Sequence, residues 1–99
     1  MSVAKTMRNK AIRGHILYLL NLSHPTPTTG KVLETGMLSS MLVTSPDIGA
    51  YLDYLIDRGY IERTDKPEYN ITYYKLTSEG IDLMEGTITD NGVILNGGY

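Results

Sequence analysis

The chain has 99 residues, of which 41% are hydrophobic and 20% charged, and its formal net charge is −2 at pH 7. These values suit one small globular domain and argue against a disordered tail. The absence of cysteine excludes a disulfide framework, a thiol nucleophile and a thiolate metal site. We find no apolar window that could span a membrane and no signal peptide, so we expect a cytoplasmic protein.

The basic residues are unevenly distributed. Four of the nine, Lys5, Arg8, Lys10 and Arg13, lie in the first thirteen positions, which contain no acid. The chain as a whole lacks the strong positive charge that would point directly to nucleic acid. For the basic segment, phosphate contact and an ordinary solvated helix end remain equal alternatives.

Two helices are predicted in the first half of the chain. Residues 2–22 repeat apolar side chains at helical spacing, from Ala4 and Met7 to Leu20. The proline- and threonine-rich segment 23–30 then predicts a loop. A second helix is predicted over 31–42, where Gly36 costs about 1 kcal/mol relative to alanine and leaves the end uncertain.

The third helix, over 46–58, has the clearest signals. Ser45 suits the N-cap and Pro46 the first helical position, where its missing N–H costs nothing. Its apolar side chains form one face, and Gly59 suits a left-handed cap at the end. We predict that Leu52 and Leu55 are buried against the first helix.

A β-hairpin and a fourth helix follow. Residues 60–65 and 70–76 are predicted to pair as antiparallel strands around the turn 66–69, with Tyr74 and Leu76 facing inward. Thr77 can cap a helix over 78–86. Residues 87–99 are predicted to be a tail, either a short hairpin signalled by its "DNG" or an arm that contacts a partner.

No catalytic constellation is recognisable in the sequence. The two histidines, His15 and His24, have no metal-ligand spacing, and no serine lies in a nucleophile-elbow pattern. "TGKV" lacks the flanking residues of a phosphate loop. Asp53 and Asp57 lie four apart on a helix, an arrangement more often solvated surface than a catalytic pair. We therefore expect no enzyme, cofactor or metal.

The phrases "SPDIGAYLDYLIDRGYIER" and "YKLTSEGIDLME" resemble the recognition helix, first wing strand, second wing strand and following helix of winged helix-turn-helix regulators of the MarR, PadR and ArsR groups. The resemblance covers roughly residues 3 to 86. It implies an α+β domain over residues 1–86, with a three-helix core, a two-stranded β wing and a C-terminal helix. It also implies a transcriptional regulator that binds double-stranded DNA, and dimers are usual in these groups.

The acidic third helix complicates this interpretation. With its apolar side against the core, the opposite face carries Ala50, Asp53, Tyr54 and Asp57, with Tyr51 on the flank. A carboxylate at Asp53 would repel phosphate, and no arginine is present to contact guanine. Affinity would then come from basic residues that contact phosphate.

Two hypotheses therefore follow from the sequence. The first is a homodimeric DNA-binding regulator. The alternative is a winged-helix module that contacts another protein through the acidic, tyrosine-bearing face of the third helix, since tyrosine is enriched at interfaces. The candidate DNA-binding residues are Lys31, Thr44, Ser45, Pro46, Ala50, Tyr51, Tyr54, Arg63, Lys66 and Lys75.

Overall fold

In a computed structural model, which describes residues 2–40 and 48–95, the chain is an α+β protein with four helices and a three-stranded antiparallel sheet. The predicted α+β class is thus confirmed. Among those residues no helix has both the length and the apolar character needed to cross a membrane. The elements are α1 (Val3–Ser23), β1 (Thr28–Thr29), α2 (Gly30–Ser39), α3 (Gly49–Asp57), β2 (Ile61–Lys66), a 3-10 turn (Pro67–Tyr69), β3 (Ile71–Leu76) and α4 (Ser78–Met84).

Helix α1 starts where the sequence predicts, but it contacts the core later than predicted. The hydroxyl of Ser2 caps the helix by accepting the backbone N–H of Lys5 at 3.1 Å. Ala4 and Met7, the first residues of the predicted apolar repeat, are both exposed. The apolar face begins at Ile12, because the first turns of α1 project beyond the elements that cover the rest of the helix.

Helix α2 ends at Ser39, three residues before the predicted end. Leu33 and Met37 are fully buried, while Val32 and Leu38 face outward. Gly36 does not interrupt the helix. A Cβ built on it would lie 2.8 Å from a Leu19 methyl group, so the missing side chain allows α1 and α2 to approach closely.

Helix α3 begins at Gly49, because Ile48 before it has non-helical backbone angles. The predicted cap at Ser45 and Pro46 lies outside the described residues. Leu52 and Leu55 are buried as predicted, and α3 packs on α1. The helix is followed by Gly59 with a φ of +80°, as the left-handed cap requires.

The predicted hairpin is present, and the sheet also has a third strand. β2 pairs with β3 in register from Ile61 opposite Leu76 to Lys66 opposite Ile71. The short strand β1 pairs with the other edge of β3, so the strand order is β1-β3-β2. Strand β1 was not predicted, because two residues are too few to show the alternation of polar and apolar residues that signals a strand.

The last described residues neither form the predicted hairpin nor extend away as an arm. Residues 91–92 form a turn, and the segment that follows packs on α1 and α3. The backbone N–H of Ile94 donates to the carbonyl oxygen of Lys10 at 3.1 Å, and Val93 is buried. We call residues 87–95 the C-terminal segment.

One hydrophobic core joins all these elements. It lies between the three-stranded sheet and the helices, and the C-terminal segment closes one side. The buried apolar residues are Ile12, Ile16, Leu17, Leu20, Leu33, Met37, Ile48, Leu52, Leu55, Tyr60, Ile61, Tyr74, Leu76, Leu83 and Val93.

Candidate nucleic-acid interface

The outward face of α3 is narrower than its sequence suggests. Ala50, Asp53 and Asp57 are exposed on it, at spacings of three and four residues, and neither aspartate has a salt bridge to a described residue. We call these three residues the outer face of α3. Two of its three side chains are negative, so this face by itself repels phosphate.

Tyr54 was predicted on that outer face, and the structure places it elsewhere. Its ring lies under the guanidinium of Arg13, with 3.8 Å from the Arg13 Cζ to the ring centroid. Arg13 also donates a hydrogen bond to the carbonyl oxygen of Gly92 at 3.0 Å. Tyr54 is therefore half-buried between α1 and the C-terminal segment, where it cannot enter a DNA groove without moving both.

Tyr51 is also turned toward α1. Its hydroxyl donates to the side-chain oxygen of Asn9 at 3.1 Å, and its ring packs against the core. Both tyrosines therefore lie on the inner flank of α3, because helix α1 and the C-terminal segment offer them apolar and polar partners there. Of the predicted residues on α3, only Ala50 is exposed on the outer face; Thr44, Ser45 and Pro46 lie outside the described residues.

The hairpin divides its predicted basic residues between two faces. Residues directly opposite each other in an antiparallel pair point to the same side, and side chains alternate along each strand. Arg63 lies opposite Tyr74, whose ring is buried between the sheet and α2. Lys66 and Lys75 alternate with Arg63 and Tyr74, so they point to the other side of the hairpin. The structure therefore separates Arg63 from the two lysines.

Two of these cations already have acidic neighbours. The Nε of Arg63 donates to Asp65 at 3.1 Å, and that hydrogen bond, with the negative charge, raises the pKa of the guanidinium. The ammonium of Lys75 lies 3.4 Å from Glu62. Both pairs are exposed, so each contributes little to stability and can exchange partners with a phosphate.

Helices α2 and α3 and the hairpin converge on Tyr74. Its pKa is raised chiefly by burial; Arg63 opposes this, while Asp65, Asp53 and Glu34 reinforce it. These charges belong to the hairpin, α3 and α2, so charged side chains of all three elements lie near the surface around the tyrosine. Lys31 lies beside it, in the first turn of α2. We call this surface the α2–α3–hairpin face.

The first turns of α1 form a separate basic projection, residues 3–8. Val3 is 79% exposed and Met7 50%, and Lys5 and Arg8 are exposed among them. Arg13 of α1 contacts Tyr54 of α3, and Asn9, which lies earlier in α1, contacts Tyr51, which lies earlier in α3. The amino-terminal ends of the two helices therefore point in the same direction. The projection therefore extends from the body near the amino-terminal end of α3.

The structure places no metal-binding cluster of histidine and carboxylate side chains in residues 2–40 or 48–95. His15 is buried, stacks on Tyr18 with 5.6 Å between ring centroids, and has its pKa lowered by burial. Comparisons of the chain with protein-family models, with curated proteins and with solved structures found no match.

Proposed function

We propose that this chain is a winged-helix domain that binds double-stranded DNA through the α2–α3–hairpin face. The observation that carries the proposal is the convergence of three elements on Tyr74. The start of α2 and one side of the hairpin line a groove at Tyr74, and Asp53 on the exposed side of α3 is close enough to act on the tyrosine's pKa. The element order, with a short strand before α2 that completes the sheet, supports a winged-helix arrangement.

Electrostatics require that binding depend on phosphate contacts rather than on base contacts by α3. Asp53 and Asp57 lie on the outer face of α3, so the attractive charge must come from outside that helix. Lys31 and Arg63 supply it on the same face, and the projection carrying Lys5 and Arg8 extends near one end of α3. Binding of this kind is weak in sequence preference and strongly dependent on salt.

The number of cations supports a dimer as the binding form. One copy brings few basic residues to the proposed surface, whereas a twofold pair brings twice as many and spans two half-sites. We therefore include a homodimer in the proposal. Sedimentation velocity with and without duplex DNA measures the stoichiometry, and a strictly monomeric complex would contradict this part.

A pair of hairpin variants tests the proposed surface. Arg63→Gln removes a cation from the α2–α3–hairpin face, and Lys75→Gln removes one from the other side of the same hairpin. Each cation has an acidic neighbour, so the two variants are matched. In anisotropy titrations on random duplex, Arg63→Gln should weaken binding and reduce the salt slope by about one unit. Lys75→Gln should bind like the wild type.

Asp53→Asn should change the affinity for DNA in the opposite direction. Removing this carboxylate from the outer face of α3 should tighten binding to every sequence, because it removes repulsion without adding a base contact. Equal effects of Arg63→Gln and Lys75→Gln, or weaker binding by Asp53→Asn, would contradict the proposed surface. Failure of the wild type to bind at low salt would contradict DNA binding altogether.

Contact with another protein remains a second candidate, favoured by the two exposed carboxylates on the outer face of α3. Tyr51 and Tyr54 are engaged by α1 and the C-terminal segment, so the acidic residues alone would form that contact. The partner would carry a basic surface. Binding of a lysine-rich peptide that is lost in Asp53→Asn and Asp57→Asn, with no binding of DNA, would favour this candidate.

A further inference from the structure

A groove separates the first turn of α2 from strand β3. Its walls include Gly30, Lys31, Glu34, Asn70, Thr72 and Tyr74. The Thr72 hydroxyl already donates to Asp65 at 2.9 Å. The groups that can donate to a ligand include the N–H groups at the start of the helix, the Lys31 ammonium and the Tyr74 hydroxyl.

Tyr74 lines this solvent-facing groove although most of its side chain is buried. The residue is only 8% exposed, and a Cβ built on Gly30 would lie 3.5 Å from its ring, so α2 covers one side of the ring. Its hydroxyl has no hydrogen-bond partner among the described residues. A tyrosine hydroxyl keeps its proton at neutral pH, and burial raises the pKa of Tyr74 further, so the hydroxyl can donate to an acceptor in the groove.

The start of α2 adds further donors. Thr29 caps the helix with its hydroxyl, which accepts the N–H of Val32 at 3.2 Å. The N–H groups of Gly30 and Lys31 have no acceptor inside the helix, and the helix dipole favours an anion beside them. The helix has ten residues, so its dipole is well developed.

The charges around the groove decide which anion fits. Lys31 favours an anion, but Glu34 is in the wall, and Asp53 and Asp65 are close enough to act on Tyr74. A doubly charged phosphate would meet strong repulsion from these carboxylates. A phosphodiester carries one negative charge and two free oxygens, so it can accept hydrogen bonds with less repulsion.

We propose that this groove binds one phosphodiester group of the DNA backbone, with Tyr74 and the first turn of α2 donating hydrogen bonds and Lys31 supplying charge. The proposal rests on the proposed function, since it names the group of the DNA that this part of the surface holds. It assigns to Tyr74 a role separate from its ring packing.

Tyr74→Phe removes only the hydroxyl and leaves the ring against α2. Tyr73→Phe is the matched control, because Tyr73 is the next residue of β3 and points to the other side of the sheet. On random duplex DNA, Tyr74→Phe should weaken binding about tenfold, the loss of one hydrogen bond to a charged group. Tyr73→Phe should bind like the wild type, and Glu34→Gln should bind more tightly.

A second measurement does not require DNA. In ¹H–¹⁵N spectra, diethyl phosphate titrated to tens of millimolar, roughly the range for one weak contact, should shift the amides of Gly30 and Lys31. The shifts should be absent in Tyr74→Phe and smaller with inorganic phosphate. No shift at these amides would overturn the groove proposal, as would wild-type DNA affinity in Tyr74→Phe. DNA binding by the wild type would still stand in either case, whereas its absence would instead contradict the proposed function.

Discussion

Asp90 is the polar residue on which the C-terminal segment depends most. Its side chain is 4% exposed and accepts hydrogen bonds from Arg58 at 2.6 Å, from the Tyr60 hydroxyl at 2.5 Å and from the Gly92 N–H at 2.6 Å. A buried carboxylate is tolerated only when its oxygens are paired, and these three donors pair them. Asp90 therefore fixes the segment to the end of α3.

Asp90→Asn should lower the free energy of unfolding by about 1.5 to 3 kcal/mol at pH 7, because it removes a charged acceptor from three donors. Burial raises the pKa of Asp90, but the hydrogen bonds outweigh it and hold the pKa below the usual value. The contribution of the carboxylate is thus complete above about pH 4, the unfolded value, and declines as pH falls through the lower folded pKa.

Urea unfolding of the wild type and Asp90→Asn between pH 7 and pH 3 measures this difference. The gap between the two should narrow toward the acid end. Asp57→Asn is the control, since Asp57 is exposed on α3, and it should change stability by less than about 0.5 kcal/mol. A gap that stays constant down to pH 3 would show that Asp90 is not stabilised as an anion.

Gly80 has a role that helix propensity alone does not reveal. It lies in the first turn of α4, where a Cβ would collide with the carbonyl oxygen of Tyr60 and lie 3.1 Å from a Leu76 methyl group. Propensity predicts that Gly80→Ala stabilises the helix by about 1 kcal/mol. The collision with backbone predicts a net loss of about 1 to 3 kcal/mol instead.

Thermal unfolding of Gly80→Ala and Gly30→Ala distinguishes these outcomes. Gly30 also lies in the first turn of a helix, but a Cβ there would make only an ordinary contact with the Tyr74 ring at 3.5 Å. Gly30→Ala should therefore be near neutral. A Gly80→Ala protein as stable as the wild type would mean that α4 can move away from Tyr60 at little cost.

The C-terminal segment, which was predicted to be a tail, is part of the folded domain. The carbonyl oxygen of Gly92 in this segment accepts a hydrogen bond from Arg13 of α1, whose guanidinium covers the ring of Tyr54. The segment also contributes Val93 to the core, and the backbone N–H of Ile94 donates to α1. Truncation after Gly86 should therefore lower stability by about 2 to 5 kcal/mol, the sum of one buried apolar side chain and the Asp90 hydrogen bonds.

Circular dichroism with urea unfolding of the truncated chain tests this expectation. A domain ending at residue 86 that is as stable as the full chain would show that the segment adds nothing to the fold. Val93→Ala is the milder companion variant, and it should lose about 1 to 3 kcal/mol without removing the Asp90 contacts.

The elements that the sequence predicts correctly have local signals. Gly59 ends α3, and Thr77 caps α4 by accepting the Gly80 N–H at 3.1 Å, as expected. The features it missed depend on distant partners. The two-residue strand β1 is a strand only because β3 lies beside it, and the Asp90 carboxylate accepts a hydrogen bond from Tyr60, which lies thirty residues earlier in the chain.

The candidate site was predicted less well than the fold, for a related reason. Helical periodicity divides α3 into an inner and an outer face, but the width of the outer face depends on what packs along its flank. There α1 and the C-terminal segment engage Tyr51 and Tyr54. Likewise, the pairing of β2 with β3 decides which side of the hairpin each cation faces. Arg63 is opposite Tyr74, the neighbour of Lys75, so Arg63 and Lys75 face opposite sides.

At the scale of the whole molecule, charge is strongly segregated. The first thirteen residues carry four basic residues and no acid, whereas residues 14–99 carry five basic and eleven acidic residues. This distribution of charge does not allow a uniformly basic surface. Any DNA contact has to use the few places where cations meet a helix start or the projection of α1.

The most direct test of DNA binding by the α2–α3–hairpin face is a ¹H–¹⁵N footprint of the full chain during titration with a short random duplex at low salt. We expect perturbed amides on the α2–α3–hairpin face, at Gly30, Lys31, Ala50 and Arg63, with those of Tyr73 and Lys75 least affected. A spectrum unchanged by DNA, or a footprint centred on Tyr73 and Lys75, would contradict it.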